Sequence, residues 1–325
     1  THLRLPTPRL PRQHLKRSRW EQSGRARGTT TTKGACWFGG TWMKRRATFA
    51  GGAAPEKLLG KRGIYVGAAA SSGSWLVLDA VETPPEPQDA ELGEEAWASE
   101  HAGQVEEALP GGLKVVGVFS LGRPEPSGRL LAFARSACPS VPEPVVVSLD
   151  GKNLTRYQYV AGGSSFSPAE HAVDDGLVES FVPLRARARV NLVQDLGDNA
   201  ESAIRAAYGE GAACLSDGAG VLNATSAEQL QRELEDRALD SAVLLLPVAP
   251  GSAASGRPRG RPAALIGDVM LLCSVKRDAG LGEVVQALRE DLIRTLLVRL
   301  DQVMDAERPA GRAVPLPVRV VGPAG

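Results

Sequence analysis

From Glu283 to Asp305, apolar residues fall at Val285, Leu288, Leu292, Leu296, Leu300 and Val303. That spacing keeps one stripe on one side of a helix for about six turns. Gly280 and Gly282 precede the segment and Pro309 follows it, the start and stop signals of a long helix. A helix with so long an apolar stripe has to lie against an apolar surface, supplied either by the rest of the chain or by a partner.

Much of that rest reads as strands. A short strand is expected at Arg46–Phe49 and a small helix at Pro55–Leu59. Gly63–Ala68 and Ser74–Val81 read as two strands joined by the small residues Ala70-Ser71-Ser72-Gly73, and Pro84, Pro85 and Pro87 end the second. A helix follows, with Asp89, Glu91, Glu94 and Glu95 in its first turns, where the helix dipole favours negative charge. Its apolar stripe is read as Leu92, Trp97, Val105 and Leu109, with His101 on the same face. Pro110-Gly111-Gly112 stops it, and Leu113–Ser120 is a short, largely apolar strand expected at the centre of a sheet.

Ser127–Ala137 is expected to be helical, and Val145–Leu149 and Arg156–Val160 to form a hairpin turning at Asp150-Gly151. Leu177–Leu184 and Arg187–Val193 read as two further strands. A helix capped by Ser226 runs to Asp240 and leads into the apolar run Ala242–Val248. The fold class is therefore α/β, a mixed β-sheet flanked by helices, with a long amphipathic helix at the C-terminal end. The main domain is taken as 43–308, with insertions near 197–225 and 249–262, and 309–325 as an extended Pro-rich segment.

The formal net charge of +1 hides an asymmetry: residues 1–62 carry about fifteen Lys and Arg against two acids. Thr1–Lys33 has no hydrophobic period, and 1–42 is read as a basic, low-complexity tail, disordered or not native, with Met43 a plausible start. A basic nucleic-acid arm or an Arg-rich transit peptide are the competing readings, but aromatic interleaving is thin and no base-reading motif is present. The longest apolar runs, Val243–Val248 and Leu265–Val275, fall well short of the roughly 18–20 residues of a membrane span. The cysteines Cys36, Cys138, Cys214 and Cys273 are scattered, as expected of a reducing compartment rather than a disulfide framework.

Catalytic chemistry finds little to stand on. The histidines His2, His14, His101 and His171 show no metal-binding spacing, and no GxSxG elbow exists. His101 is either a general base or, as its place beside Trp97 on a helix favours, a half-buried structural histidine. The cysteines lack basic neighbours and read as structural thiols. Gly28–Gly34 fails the phosphate-loop order, and Glu91, Glu94 and Glu95 read as a solvated helix start. No cofactor is expected.

Two stretches add specificity. Glu95-Ala96-Trp97-Ala98-Ser99-Glu100-His101-Ala102 and Leu109-Pro110-Gly111-Gly112-Leu113-Lys114-Val115-Val116-Gly117-Val118-Phe119 resemble the signature of the odorant response abnormal protein 4 family, in which they follow a strand ending in "TPP", as Thr83-Pro84-Pro85 does here. Within it, Trp97, His101, Pro110, Gly111, Gly112 and Gly117 are the family-signature residues. Val285–Leu297 and Arg312–Pro317 resemble later family segments, so the resemblance covers about 43–321 in order, more weakly over 120–265.

The resemblance implies an MPN-like domain, the scaffold also used by zinc-dependent isopeptidases. Active members take two zinc ligands from a strand reading roughly "VGWYHSHP" and a glutamate from an upstream strand. Here Ser120 and Gly122 stand at the histidine positions and Gly60 at the glutamate position, so no metal is expected. The resemblance further implies a non-catalytic adaptor, paired with a ubiquitin-fold-modifier-specific cysteine protease at the cytosolic face of the endoplasmic reticulum membrane, with a linked role in membrane-receptor trafficking. The alternative it implies is a trafficking chaperone that binds membrane receptors directly. Family members carry a C-terminal membrane anchor that is absent from this chain, which points to truncation. Leu288, Leu292, Leu296 and Leu300 are offered as partner-binding residues, with core packing as the plainer role, and no nucleic acid is expected.

Overall fold

The computed structural model describes residues 46–70, 74–86, 93–121, 127–150, 153–161, 165–168, 170–195, 200–246 and 262–305. The basic stretch 1–42, the segment 309–325 and the loop expected near 249–262 up to Arg261 lie outside the described residues.

The N-terminal half builds an eight-stranded mixed sheet. Its elements are β1 (Arg46–Ala50), β2 (Arg62–Ala69), β3 (Trp75–Glu82), helix α1 (Glu94–Ala108), β4 (Lys114–Ser120), helix α2 (Ser127–Ala137), β5 (Val145–Asp150), β6 (Asn153–Ala161), β7 (Ser165–Pro168) and β8 (Glu170–Asp174). A 3-10 turn at Pro55–Leu58 follows β1. The strands lie in the order β7-β6-β5-β4-β2-β3-β1-β8. β4 is interior, antiparallel to β2 and parallel to β5, which agrees with its nearly continuous apolar run.

The sheet divides the core in two, and an extra residue in β4 between Val115 and Gly117 shifts its alternation so that Val115 and Val118 share one face and Val116 and Phe119 the other. On one face Ile64, Val115, Val118 and Val146 meet Ala98 and Ala102 of α1 and Leu130 and Phe133 of α2. On the other, Phe49, Tyr65 and Phe119 stack, with Phe49 and Tyr65 edge to face at 5.4 Å and Tyr65 and Phe119 at 4.9 Å. Gly117 lies where β4 and β5 approach most closely, because a Cβ there would sit 2.1 Å from the carbonyl oxygen of Val145.

The C-terminal half builds a second, four-stranded sheet from β9 (Phe181–Asp195), helix α3 (Ala200–Tyr208), β10 (Cys214–Ser216), helix α4 (Ala227–Asp236), β11 (Ala242–Leu245), β12 (Pro262–Lys276) and helix α5 (Leu281–Asp305). The order is β10-β11-β9-β12, and β9 and β12 pair antiparallel along all fifteen residues of each. One core gathers Val182, Leu184, Ala186, Leu271 and Cys273 of the sheet with Val284, Leu288, Leu292, Leu296 and Leu300 of α5. The architecture is thus α/β, as expected, but in two mixed sheets rather than one.

Several local expectations are corrected. Leu177–Leu184 and Arg187–Val193 are not two strands: β9 runs unbroken through Arg185 and Ala186, and Val178–Ser180 is a 3-10 turn. Its period-two pattern never lapses there, so nothing makes the chain turn. α1 begins at Glu94, and Asp89, Glu91 and Leu92 lie outside the described residues. Its buried face is Ala98 and Ala102, while Trp97, His101, Val105 and Leu109 are only half-buried. Small residues let α1 approach α2 closely, where the Ser136 hydroxyl donates to Ser99 Oγ at 2.8 Å. The stretch 197–225, expected as an insertion, holds α3 and β10, whose Ile204, Tyr208 and Leu215 are buried in the second core.

Candidate functional site

The two strand ends expected to carry a degenerate metal site do come together. Arg62 of β2 pairs with Ser120 of β4, the Gly60 amide donates to the Leu121 carbonyl at 2.9 Å, and the Leu121 amide donates to the Lys61 carbonyl at 2.7 Å. Gly60 takes φ +83, a left-handed conformation suited to glycine, and Ser120 is 2% exposed. Gly122 lies outside the described residues. Among the described residues, no three His, Cys, Asp or Glu side chains are grouped so as to hold a metal ion. His171, on β8, has its ring against Phe49 at 6.5 Å, and His101 belongs to α1.

The signature residues are spread over α1, its two ends and β4, and only Pro110, Gly111 and Gly112 reach the junction of the two sheets. Trp97 Nε1 donates to the Pro84 carbonyl at 2.8 Å, so the TPP segment and the helix that follows it are bonded together. At the other end of α1, Pro110 leads into Gly111, which acts as a one-residue strand on the free edge of β12. The Gly111 amide donates to the Leu272 carbonyl at 2.9 Å, and the Ser274 amide donates to the Gly111 carbonyl at 2.9 Å. The backbone can come this near only because Gly111 has no side chain: a Cβ would lie 1.8 Å from the carbonyl oxygen of Ala287 in α5. Gly112 takes φ +83, and its Cβ would meet the Ser274 carbonyl oxygen at 2.7 Å.

Two charged side chains of α5 complete the junction. Asp291 is 1% exposed and accepts the Leu272 amide at 2.9 Å, next to the bonds made by Gly111. Arg294 donates to the Leu109 carbonyl at 2.5 Å and more weakly to the Leu113 carbonyl at 3.4 Å. It thereby satisfies carbonyls at the end of α1 and the start of the next segment. Burial raises the Glu106 pKa, and Arg294 and Lys114 partly counter that rise. Sequence reasoning missed Asp291 and Arg294. The signal available was a carboxylate inserted beside Leu292 in an otherwise apolar stripe.

Beside this junction opens a cavity of about 560 Å³, lined among others by Gly112, Lys114, Phe181, Lys276, Glu283 and Glu290. Its lining mixes both signs of charge and includes no histidine or cysteine to act as base or nucleophile. The described thiols are poor nucleophiles where they are buried. Burial drives the Cys138 thiol far up, and burial with the nearby Asp291 carboxylate pushes Cys273 up to about 12. His101 is half-buried, its Nδ1 meets no hydrogen-bond partner, and burial lowers its pKa. The sequence favoured a half-buried histidine with its hydrogen bonds satisfied; the burial agrees, but Nδ1 is left without a partner.

Leu288, Leu292, Leu296 and Leu300, offered as partner-binding residues, are 1%, 0%, 3% and 5% exposed in the chain's own second core. They are closed to a partner because the two long strands supply the surface their stripe needs.

The family model for odorant response abnormal 4-like proteins matches residues 63–320, from β2 to beyond the end of α5. The chain belongs to the odorant response abnormal 4-like family. The matched residues include strands of both sheets and the Gly111 junction that joins them. No curated protein matches the chain. Among solved structures, a protein from Salinibacter ruber (strain DSM 13855), known from its solution structure, is 20% identical over 35% of this chain and 77% of that one, with a TM-score of 0.23. Among the described residues, no helix is long and apolar enough to cross a membrane.

Proposed function

We propose that the chain is a non-catalytic adaptor that binds a ubiquitin-fold-modifier-specific cysteine protease and holds it at the cytosolic face of the endoplasmic reticulum membrane, with a linked role in membrane-receptor trafficking. The observation that carries the reading is the use made of the family signature. Gly111 and Gly112 bring the chain between α1 and β4 against β12 and α5, and Trp97 ties α1 to the segment after β3, so these signature residues serve to assemble a scaffold. Ser120 and Gly60 at the strand ends fit the same reading, that of an MPN-like domain whose ligand positions carry a hydroxyl and a hydrogen.

The test is binding of the full chain to the purified protease. The adaptor reading expects a stable stoichiometric complex by size-exclusion chromatography with light scattering, and no isopeptidase activity from the chain alone. Two separate monomer peaks at micromolar concentrations would refute it. The second reading is a trafficking chaperone that binds receptors directly, and it rests on the family alone. It expects receptor binding to survive removal of the protease, whereas the adaptor reading expects that binding to be lost.

A further inference from the structure

Among the described residues, helices cover the second sheet on one face only. Ala186, Ala188, Leu244 and Leu271 point into the core shared with α3, α4 and α5. On the opposite face Arg185, Arg187, Arg189 and Asn191 stand exposed at every second position of β9. Strand register fixes their neighbours. Arg187 lies between Val243 of β11 and Met270 of β12; Arg185 is beside Leu272, Arg189 beside Asp268, and Asn191 beside Ile266. Ile266 is 67% exposed, and Leu245, on the same face of β11, is 44% exposed. None of the three arginines forms an ion pair or side-chain hydrogen bond among the described residues.

A merely solvated sheet face carries polar residues and pairs opposite charges across its strands. This one sets three like charges in a row at a spacing of about 7 Å, with Asp268 the single acid in register with them. Between and beside them lie aliphatic side chains and a methionine, along which arginine stems can rest with their heads outward. Arg and Met are residue types enriched at the centres of protein interfaces. The face has no aromatic side chain in register with the arginines, although membrane surfaces and single-stranded nucleic acids are commonly gripped through such rings.

We propose that this face of β9, β11 and β12 is the docking surface for a protein partner that presents a row of carboxylates flanked by apolar side chains. Each guanidinium offers a planar fork that matches a carboxylate bidentately, and the aliphatic strips on either side exclude water from the pairs. The inference rests on the adaptor reading and names the surface through which the protease is held.

The experiment titrates the purified protease against the full chain carrying Arg185→Glu, Arg187→Glu and Arg189→Glu together. The triple Arg→Lys chain conserves the charge, and Ile266→Glu probes the apolar strip. Urea midpoints check folding. Charge reversal is expected to weaken binding roughly a hundredfold or more, the lysine chain and Ile266→Glu about tenfold each, and the wild-type affinity to fall with added salt. If reversal leaves the affinity unchanged, the docking surface is overturned and the adaptor reading stands. If the wild-type chain does not bind, both fall. Should the reversed chain fail to fold, the lysine chain and Ile266→Glu decide, and wild-type affinity in both overturns the proposal. Vesicles of one part phosphatidylserine to two parts phosphatidylcholine form a second arm. Loss of vesicle binding on reversal, with protease binding intact, overturns the proposal in favour of a lipid surface.

Discussion

Gly111→Ala tests how the two sheets are joined. The added Cβ would sit 1.8 Å from the Ala287 carbonyl oxygen, 2.7 Å from its carbon and 3.1 Å from Asp291 Cβ. Two of these are backbone atoms of a packed helix and cannot swing aside as a side-chain tip would, so the Gly111 segment or α5 must move. Overpacking of this kind costs about 1–3 kcal/mol. The movement also stretches the two bonds between Gly111 and β12, each worth about 0.5–1.5 kcal/mol. The sum is about 2–6 kcal/mol, which at a urea m-value of about 2–3 kcal/mol per molar lowers the midpoint by roughly 0.7–3 M. Gly103→Ala is the control. That glycine lies inside α1 with no atom within 4 Å of the new Cβ, and alanine there should stabilise by about 0.5–1 kcal/mol. If Gly111→Ala unfolds within about 0.3 M of the wild type, the close approach does not hold the sheets together.

Two further outcomes follow from the buried groups. Burial lowers the pKa values of His101 and His171, with Glu56 opposing the shift at His171. The native state therefore resists protonation, and the stability these groups contribute is full above the ordinary imidazole pKa of about 6.5 and lost as pH falls below it. The urea midpoint should drop between about pH 7.5 and 5.5, less steeply in His101→Gln; equal slopes would remove His101 from the account. Glu106, whose raised pKa acts in the opposite sense, is common to both chains and cancels in the comparison. Cys138 and Cys273, whose thiols burial pushes up, should resist iodoacetamide in the native chain and react in urea, while half-buried Cys214 reacts before either of them. Peptide mapping by mass spectrometry reads this directly, and early alkylation of Cys273 would show that the junction opens.

Local patterning was legible where a segment is buried on one side and its signal is therefore periodic. α2, β1, β2, β3, β4 and the β5–β6 hairpin follow from alternation, turn residues and prolines. Ser226 caps α4 as expected, accepting the Gln229 amide at 3.2 Å. α1 misled because its buried face is made of Ala98 and Ala102, and a hydrophobicity reading gives more weight to Trp97 and Val105 on its flank. The 197–225 stretch misled because its glycines and polar residues mask five well-placed buried side chains, Ile204, Tyr208, Leu215, Leu222 and Ala224.

The sequence alone determined the family, through the ordered spacing of Trp97, His101 and Pro110-Gly111-Gly112. It also determined the long C-terminal helix, because a six-turn apolar stripe has no other stable use. It could not say what covers that stripe. Only the tertiary structure showed that β9 and β12 do, that Gly111 seals the edge of β12, and that Asp291 satisfies the next amide along. It also showed Arg185, Arg187 and Arg189 exposed on one face of the second sheet among the described residues. The physical reason is range: periodicity reports which face of an element is buried, whereas pairing across the 160 or so residues between Gly111 and Cys273 depends on which backbones can approach, and a glycine shows that only once its neighbour is known.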